Sequence, residues 1–162
     1  MSAIPWSVYI GFDSREAEAF AVCRSSIADR LTAPIPIYGI VLDYMIDAGL
    51  YNRPTEIRDG KMWDVISEAP CSTEFAISRF LTPHLAKRNR KDNEAAGWAL
   101  FMDCDMLARE NLVRLFELAD SRYAVMCVKH KHTPPSGKKM DGQAQINYAR
   151  KNWTSLTLYN CD

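Results

Sequence analysis

An uninterrupted apolar run, Gly97-Trp98-Ala99-Leu100-Phe101-Met102, leads directly into Asp103-Cys104-Asp105. A strand that does not alternate with polar residues has both faces covered, so this run reads as an interior strand of a sheet flanked on each side. Polar residues at the end of such a strand are where α/β sheets bind ligands. The rest of the chain has to supply the flanking layers and the neighbouring strands.

It does so in alternation. Ser7-Val8-Tyr9-Ile10-Gly11 is a short β-branched and aromatic run ending at Asp13-Ser14, a good helix N-cap pair. The helix predicted next carries Ala17, Phe20, Ala21, Ile27, Ala28 and Leu31 on one face. Ile35 to Leu42 reads as a second buried strand, and residues 43–70 as irregular. Ser72 or Thr73 caps a predicted helix with Phe75, Ile77, Phe80, Leu81 and Leu85, kinked by Pro83, and Lys87 to Lys91 is its solvated end. After Asp105 a helix starting near Arg109 presents Leu112, Leu115, Phe116 and Ala119, with Glu110 and Arg114 paired opposite. Tyr123 to Val128 and Thr154 to Tyr159 are the remaining predicted strands, the first of them buried. Alternating strands and helices predict an α/β domain with a mainly parallel central sheet flanked by helices.

The 162 residues, 48% of them hydrophobic and 25% charged, suit one globular domain spanning 1–162. Twenty basic and twenty acidic residues leave no net field to draw nucleic acid or an anionic membrane. The absence of a basic residue before Arg15, and of any apolar stretch near the roughly 18 residues that span a bilayer, predicts neither a secretory leader nor a transmembrane segment. Five cysteines without a C-x-x-C pair argue against a disulfide framework or zinc knuckle, and for free thiols in a reducing cytoplasm. A homo-oligomer is compatible with all of this.

Three polar clusters fall at predicted strand ends: Asp13-Ser14-Arg15, Asp103-Cys104-Asp105, and Lys129-His130-Lys131-His132. Residues i and i+2 of an extended segment face the same way, so Asp103 and Asp105 can share one point in space. Two carboxylates that close call for a cation. Few, hard oxygen ligands suit Mg²⁺ or Mn²⁺ completed by water and phosphate oxygens, which makes a nucleotide diphosphate or triphosphate the implied substrate. The plain alternative is that both aspartates cap the following helix. The Lys129 to His132 run reads as a solvated loop, because a zinc site from Cys127, His130 and His132 has no fourth ligand nearby.

The stretch from Ser72 to Asp120 carries Glu74-Phe75-Ala76-Ile77-Ser78-Arg79-Phe80 on a helix, then Ala99-Leu100-Phe101-Met102-Asp103-Cys104-Asp105-Met106-Leu107. It resembles the centre of GT-A-fold glycosyltransferases related to glycosyltransferase family 8. Tyr9-Ile10-Gly11-Phe12-Asp13 is similar to their first strand and base-binding loop, and Asn152-Trp153-Thr154-Ser155-Leu156-Thr157-Leu158-Tyr159-Asn160 to a strand that opens on a sugar-contacting turn. The resemblance implies a Rossmann-like GT-A domain and a retaining hexosyltransferase using a UDP-sugar donor, the acceptor unspecified. It implies Mn²⁺ (or Mg²⁺) held by Asp103 and Asp105, and a donor site drawn from Gly11, Phe12, Asp13, Arg15, Arg79, Cys104, Trp153 and Ser155. Within that set Asp13 would bind the uracil edge, Arg79 would reach the donor sugar or order the Asp pair, and Trp153 would stack on a sugar ring. Each has a plainer reading: Asp13 as an N-cap, Arg79 as a surface arginine, Trp153 as core. Enzymes of this type continue past the Asn160 strand into a region bearing a third metal ligand, usually a histidine, and acceptor-binding groups. Measured against them, this chain is expected to bind donor weakly with little transfer.

Two other readings compete. One is a non-catalytic nucleotide-sugar-binding module. The other is a haloacid-dehalogenase-type phosphatase, whose first motif also follows a hydrophobic strand. That second reading requires Thr or Val where Leu107 stands and a downstream acidic pair that the sequence lacks.

Overall fold

The computed structural model describes residues 5–90, 95–129, 137–138, 144–145 and 152–162. In chain order its strands are β1 (Trp6–Gly11), β2 (Ile37–Ile40), β3 (Thr55–Arg58), β4 (Lys61–Asp64), β5 (Ala69–Pro70), β6 (Trp98–Met102), β7 (Val125–Lys129), β8 (Gly137–Lys138), β9 (Ala144–Gln145) and β10 (Asn152–Asn160). The helices are α1 (Ala17–Ala28), α2 (Leu42–Asp47), α3 (Thr82–Arg88) and α4 (Val113–Phe116), with 3-10 turns at Ser14–Glu16 and Ser78–Leu81.

Five strands form the main sheet in the order β2-β1-β6-β10-β7. As the apolar run predicted, β6 is interior, with Ala99, Leu100 and Phe101 fully buried. β2 and β6 lie parallel to β1, whereas β10 runs antiparallel to both β6 and β7. The sheet is therefore mixed, which corrects the mainly parallel expectation: burial on two faces shapes composition the same way whichever direction the neighbour runs. The reversal of β10 brings its first residues to the same edge of the sheet as the last residues of β1 and β6.

Helices cover both faces. Phe20 of α1 reaches Gly39, the β2 partner of Ile10, and Phe116 of α4 stacks on Trp6 at 5.1 Å between centroids. The opposite face belongs to Tyr9 and Phe101, paired in register. There Phe75 lies 6.1 Å from Phe101, and Asn89 beyond α3 donates to the Tyr9 hydroxyl at 3.0 Å. The result is an α/β domain with helices on both faces of a mixed sheet.

Several elements depart from expectation. Residues 43–70 are ordered: α2 is followed by a three-stranded antiparallel sheet β3-β4-β5. Its first turn is Asp59-Gly60, both at positive φ (51° and 72°), the backbone of a tight two-residue hairpin. Buried Asp64 there accepts from Arg53 and Ser67, which hold its carboxyl well below the usual range. Pro83 does not kink a long helix; it sits in the first turn of α3, where its missing N–H costs nothing. The buried stripe of α1 is Cys23, Ser26 and Ile27, while Ala17, Ala21 and Ala28 are exposed. β7, expected to be buried, is a largely exposed edge strand. All five cysteines are free, and among the described residues no helix is long and apolar enough to cross a membrane.

Candidate functional site

The site is assembled where β6 ends. Met102 is its last paired residue, so the extended geometry expected through Asp105 stops one residue short of Asp103, and Cys104 and Asp105 form a turn. The same-side alternation of a strand is therefore not what relates the two aspartates, which differ in exposure. Asp103 is half-buried and its N–H donates to the Ser155 carbonyl of β10 at 2.9 Å. Asp105 is exposed and has no ion-pair partner among the described residues.

Arg79 supplies the cation. It projects from the 3-10 turn Ser78–Leu81, only 9% exposed, with its guanidinium over the neighbouring rings of Phe75 (5.0 Å) and Phe101 (5.2 Å). Its Nη1 donates to Asp103 Oδ1 at 3.0 Å and to the Thr154 carbonyl at 3.4 Å, and its Nε to the Phe75 carbonyl at 3.4 Å. The surface-arginine reading fails here. Even so, Asp103 is pushed up to about 6: burial is the main cause, Asp105 and Glu16 add to it, and Arg79 opposes it. Three carboxylates, those of Asp103, Asp105 and Glu16, thus act on one another beside the single guanidinium of Arg79.

Cys104, 1% exposed, points away from the solvent and donates its thiol to Glu16 Oε2 at 3.2 Å. Burial first and then that carboxylate push the thiol up to about 12, so it stays protonated. The thiol of Cys23 approaches the Asp103 carbonyl at 3.9 Å, and Ser26 Oγ accepts from the Ala108 N–H at 3.0 Å. Residues 103–108 thus lie along one stripe of α1.

The loop after β1 forms the adjoining wall. Gly11 is required for contact rather than conformation, since a Cβ there would stand 2.5 Å from the Phe75 ring. Phe12 packs edge-on against Phe20 at 5.2 Å. Asp13 is fully buried. Its two oxygens accept from the Arg15 N–H, Nε and Nη2 and from the Glu74 N–H, at 2.7 to 3.1 Å. Burial alone would raise its carboxyl, but the Arg15 and Glu74 hydrogen bonds outweigh it and hold the group below its ordinary value. Arg15 also donates to the Ser72 carbonyl, and Ser14 donates its N–H and hydroxyl to Glu74. The effect is a bracket joining residues 13–15 to residues 72–74, in which Asp13 caps its own turn and also holds the neighbouring loop.

Of the residues singled out from sequence, Asp103, Cys104, Arg79 and Ser155 come together, with Asp105 on the rim and Gly11, Phe12, Asp13 and Arg15 on the adjoining loop. Trp153 is half-buried on β10. Lys129 ends β7, exposed, and His130, Lys131 and His132 lie outside the described residues. Glu16 gives no sign in the sequence of its contact with Cys104, and Glu74, though part of the Glu74 to Phe80 stretch, gives no sign there of its contacts with residues 13–15. Asp13-x-x-Glu16 has the spacing of a local capping box, but the Glu16 side chain makes no capping bond and reaches a residue 88 positions away.

Two carboxylates with oxygen-only chemistry fit a hard divalent cation that keeps water and phosphate ligands. Arg79 takes Asp103 Oδ1, and Asp103 Oδ2 has no hydrogen-bond partner among the described residues. Among the described residues no group of three or more His, Cys, Asp or Glu side chains is placed to hold a metal, so the protein's share of such a shell is small.

No family model matches the chain. It is similar to Protein CDI of Arabidopsis thaliana, with 41% identity over 157 residues. The match covers 97% of this chain and 53% of that relative, so the chain spans about half the relative's length.

Proposed function

We propose that this chain is a nucleotide-sugar-binding domain of the GT-A type, acting in a retaining glycosyltransferase that uses a UDP-sugar donor with Mn²⁺ or Mg²⁺. The observation that carries the reading is the pair Asp103 and Asp105 directly after the interior strand β6, with Arg79 donating to Asp103. The parallel β2-β1-β6 portion with helices on both faces supports the Rossmann-like part of the reading, because ligands in such sheets settle beyond the carboxyl ends of the strands. A bound divalent ion would supply charge neutralisation for a departing diphosphate. Asp103 and Asp105 would hold it, the carboxylate of Asp103 kept in place by Arg79 and its backbone by the Ser155 carbonyl. Arg79, resting over the Phe75 and Phe101 rings, is held at the wall where the donor's sugar or phosphates would lie. Asp13 and Arg15 shape the base-binding loop by fixing it to residues 72–74. Five free thiols agree with the cytoplasmic setting that this reading includes.

Calorimetry with UDP, with and without Mn²⁺, tests the reading. UDP binding is expected to depend on Mn²⁺ and to weaken at least roughly tenfold in Asp103→Ala or Asp105→Ala, since losing a partner of a charged group costs on the order of 1.5 to 3 kcal/mol. Unchanged UDP affinity in both variants would overturn it; helix capping is not the alternative, since α4 begins only at Val113 with Leu112 at its N-cap position. UDP-sugar consumption measured beside binding separates a transferase from a module that only binds.

A further inference from the structure

The turn between the two aspartates is held from one direction only. Asp103 is fixed by β10 and Arg79, and Ala108 by Ser26. Between them, the one side chain of the described residues that grips the turn is Glu16, through the Cys104 thiol at 3.2 Å. Glu16 stands at the N-cap position of α1 yet makes no capping hydrogen bond with its side chain. A carboxylate that leaves its own helix uncapped and turns instead toward a buried thiol is placed for that contact. Glu16, Cys23 and Ser26 follow one another at i, i+7 and i+10, a single stripe of the helix, and all three touch residues 103–108.

We propose that Glu16 is a positioning residue for the Asp103 and Asp105 carboxylates, holding the turn between them through the Cys104 thiol. This rests on the divalent-cation reading of the site. Its physical basis is that carboxylates with few companions in a coordination shell bind well only if their spacing is set in advance, and partners behind the ligands set it. The exposed Asp105 has no hydrogen bond of its own among the described residues. Its position therefore follows from Cys104.

The test uses the full chain with Mn²⁺ and UDP as probes, unbound Mn²⁺ being read by its paramagnetic resonance signal. Glu16→Ala is expected to weaken Mn²⁺ binding about tenfold, the lower end of what loss of an orienting partner costs. Glu16→Gln keeps an acceptor oxygen at the same reach without the charge, and should restore affinity close to the parent value. Cys104→Ala should match Glu16→Ala, and the double variant should bind no worse than either, because both remove one contact. Thermal midpoints should stay together across the set. A Gln variant as weak as the Ala variant would mean that Glu16 acts by charge alone, and additive losses would mean that the two side chains act independently; either overturns the proposal. If the unmodified chain binds no Mn²⁺ with UDP, the cation reading falls by itself. Alkylation of Cys104 in the native state, followed by peptide mass, then judges the contact separately: Glu16→Ala should accelerate it, and an unchanged rate would overturn the Glu16 clamp.

Discussion

At the scale of single residues, the balance at Asp103 is between burial, which disfavours its charge, and one arginine, which favours it. Burial wins, and the carboxyl stands near 6 against an ordinary value of 3.8. The consequence for stability has a definite sign. A carboxyl whose native value is raised binds more protons folded than unfolded between those two values, so stability falls as pH rises through that window. Asp13, Asp64 and Asp120 are shifted the other way, and their contributions are lost only as pH falls below the ordinary carboxyl range. The two effects occupy different pH ranges. For the metal-free chain, unfolding free energy is expected to decline between about pH 4 and pH 6 by up to about 3 kcal/mol from this residue, roughly 1.4 kcal/mol for each unit of displacement. Asp103→Asn should remove that slope while keeping an acceptor for Arg79. Denaturant titrations at several pH values decide it, and an identical slope in the Asn variant would show that another group carries the dependence.

At the scale of elements, the hairpin of β3 and β4 turns on two residues with positive φ. Gly60 has φ of 72° and open space where a Cβ would be, so Gly60→Ala meets no steric clash and pays only for its backbone conformation. Unfolding free energy should fall by about 1 kcal/mol with an unchanged denaturant slope. No change would mean that the turn adopts another type without loss. The same hairpin shows what the sequence disclosed and what it hid. Ile57, Met62 and Trp63 beside the turn are too few apolar residues to announce strands, and residues 43–70 read as irregular, the Asp59-Gly60 turn among them. The interior strands β1 and β6 were legible because burial on both faces writes itself into composition. Strand direction was not, since β10 has the same apolar content whether its neighbour runs with it or against it. At the site, Asp103 and Asp105 could be read from their place after a strand. Glu16 and the Arg79 carbonyl contact to Thr154 could not, because contacts between residues 75 or 88 positions apart leave no local periodicity.

At the scale of the whole molecule, the position of β10 makes the end of the described chain a central element of the sheet. Thr157, Leu158, Tyr159 and Cys161 are buried, and the strand pairs on one side with β6 and on the other with β7. Its flanks are tied as well: the Cys161 N–H donates to the Gly97 carbonyl, and Asp162 accepts from the Gly97 N–H at 2.9 Å. Removing residues 152–162 would expose one edge of β6 along its whole length and leave β7 without its partner, so both the sheet and the wall of the candidate site go together. A chain of residues 1–151 is therefore expected to lose cooperative unfolding, because the cost is not confined to a terminus but falls on the interior strand. The buried thiols report this directly. In the full chain, exposed Cys127 should be alkylated first, Cys104 on opening of its turn and Cys23 only on global opening, whereas in the shortened chain Cys23 and Cys104 should react at the rate of the denatured protein. A sharp thermal transition with both thiols still protected would show that β2, β1 and β6 with their helices form a stable unit without β10.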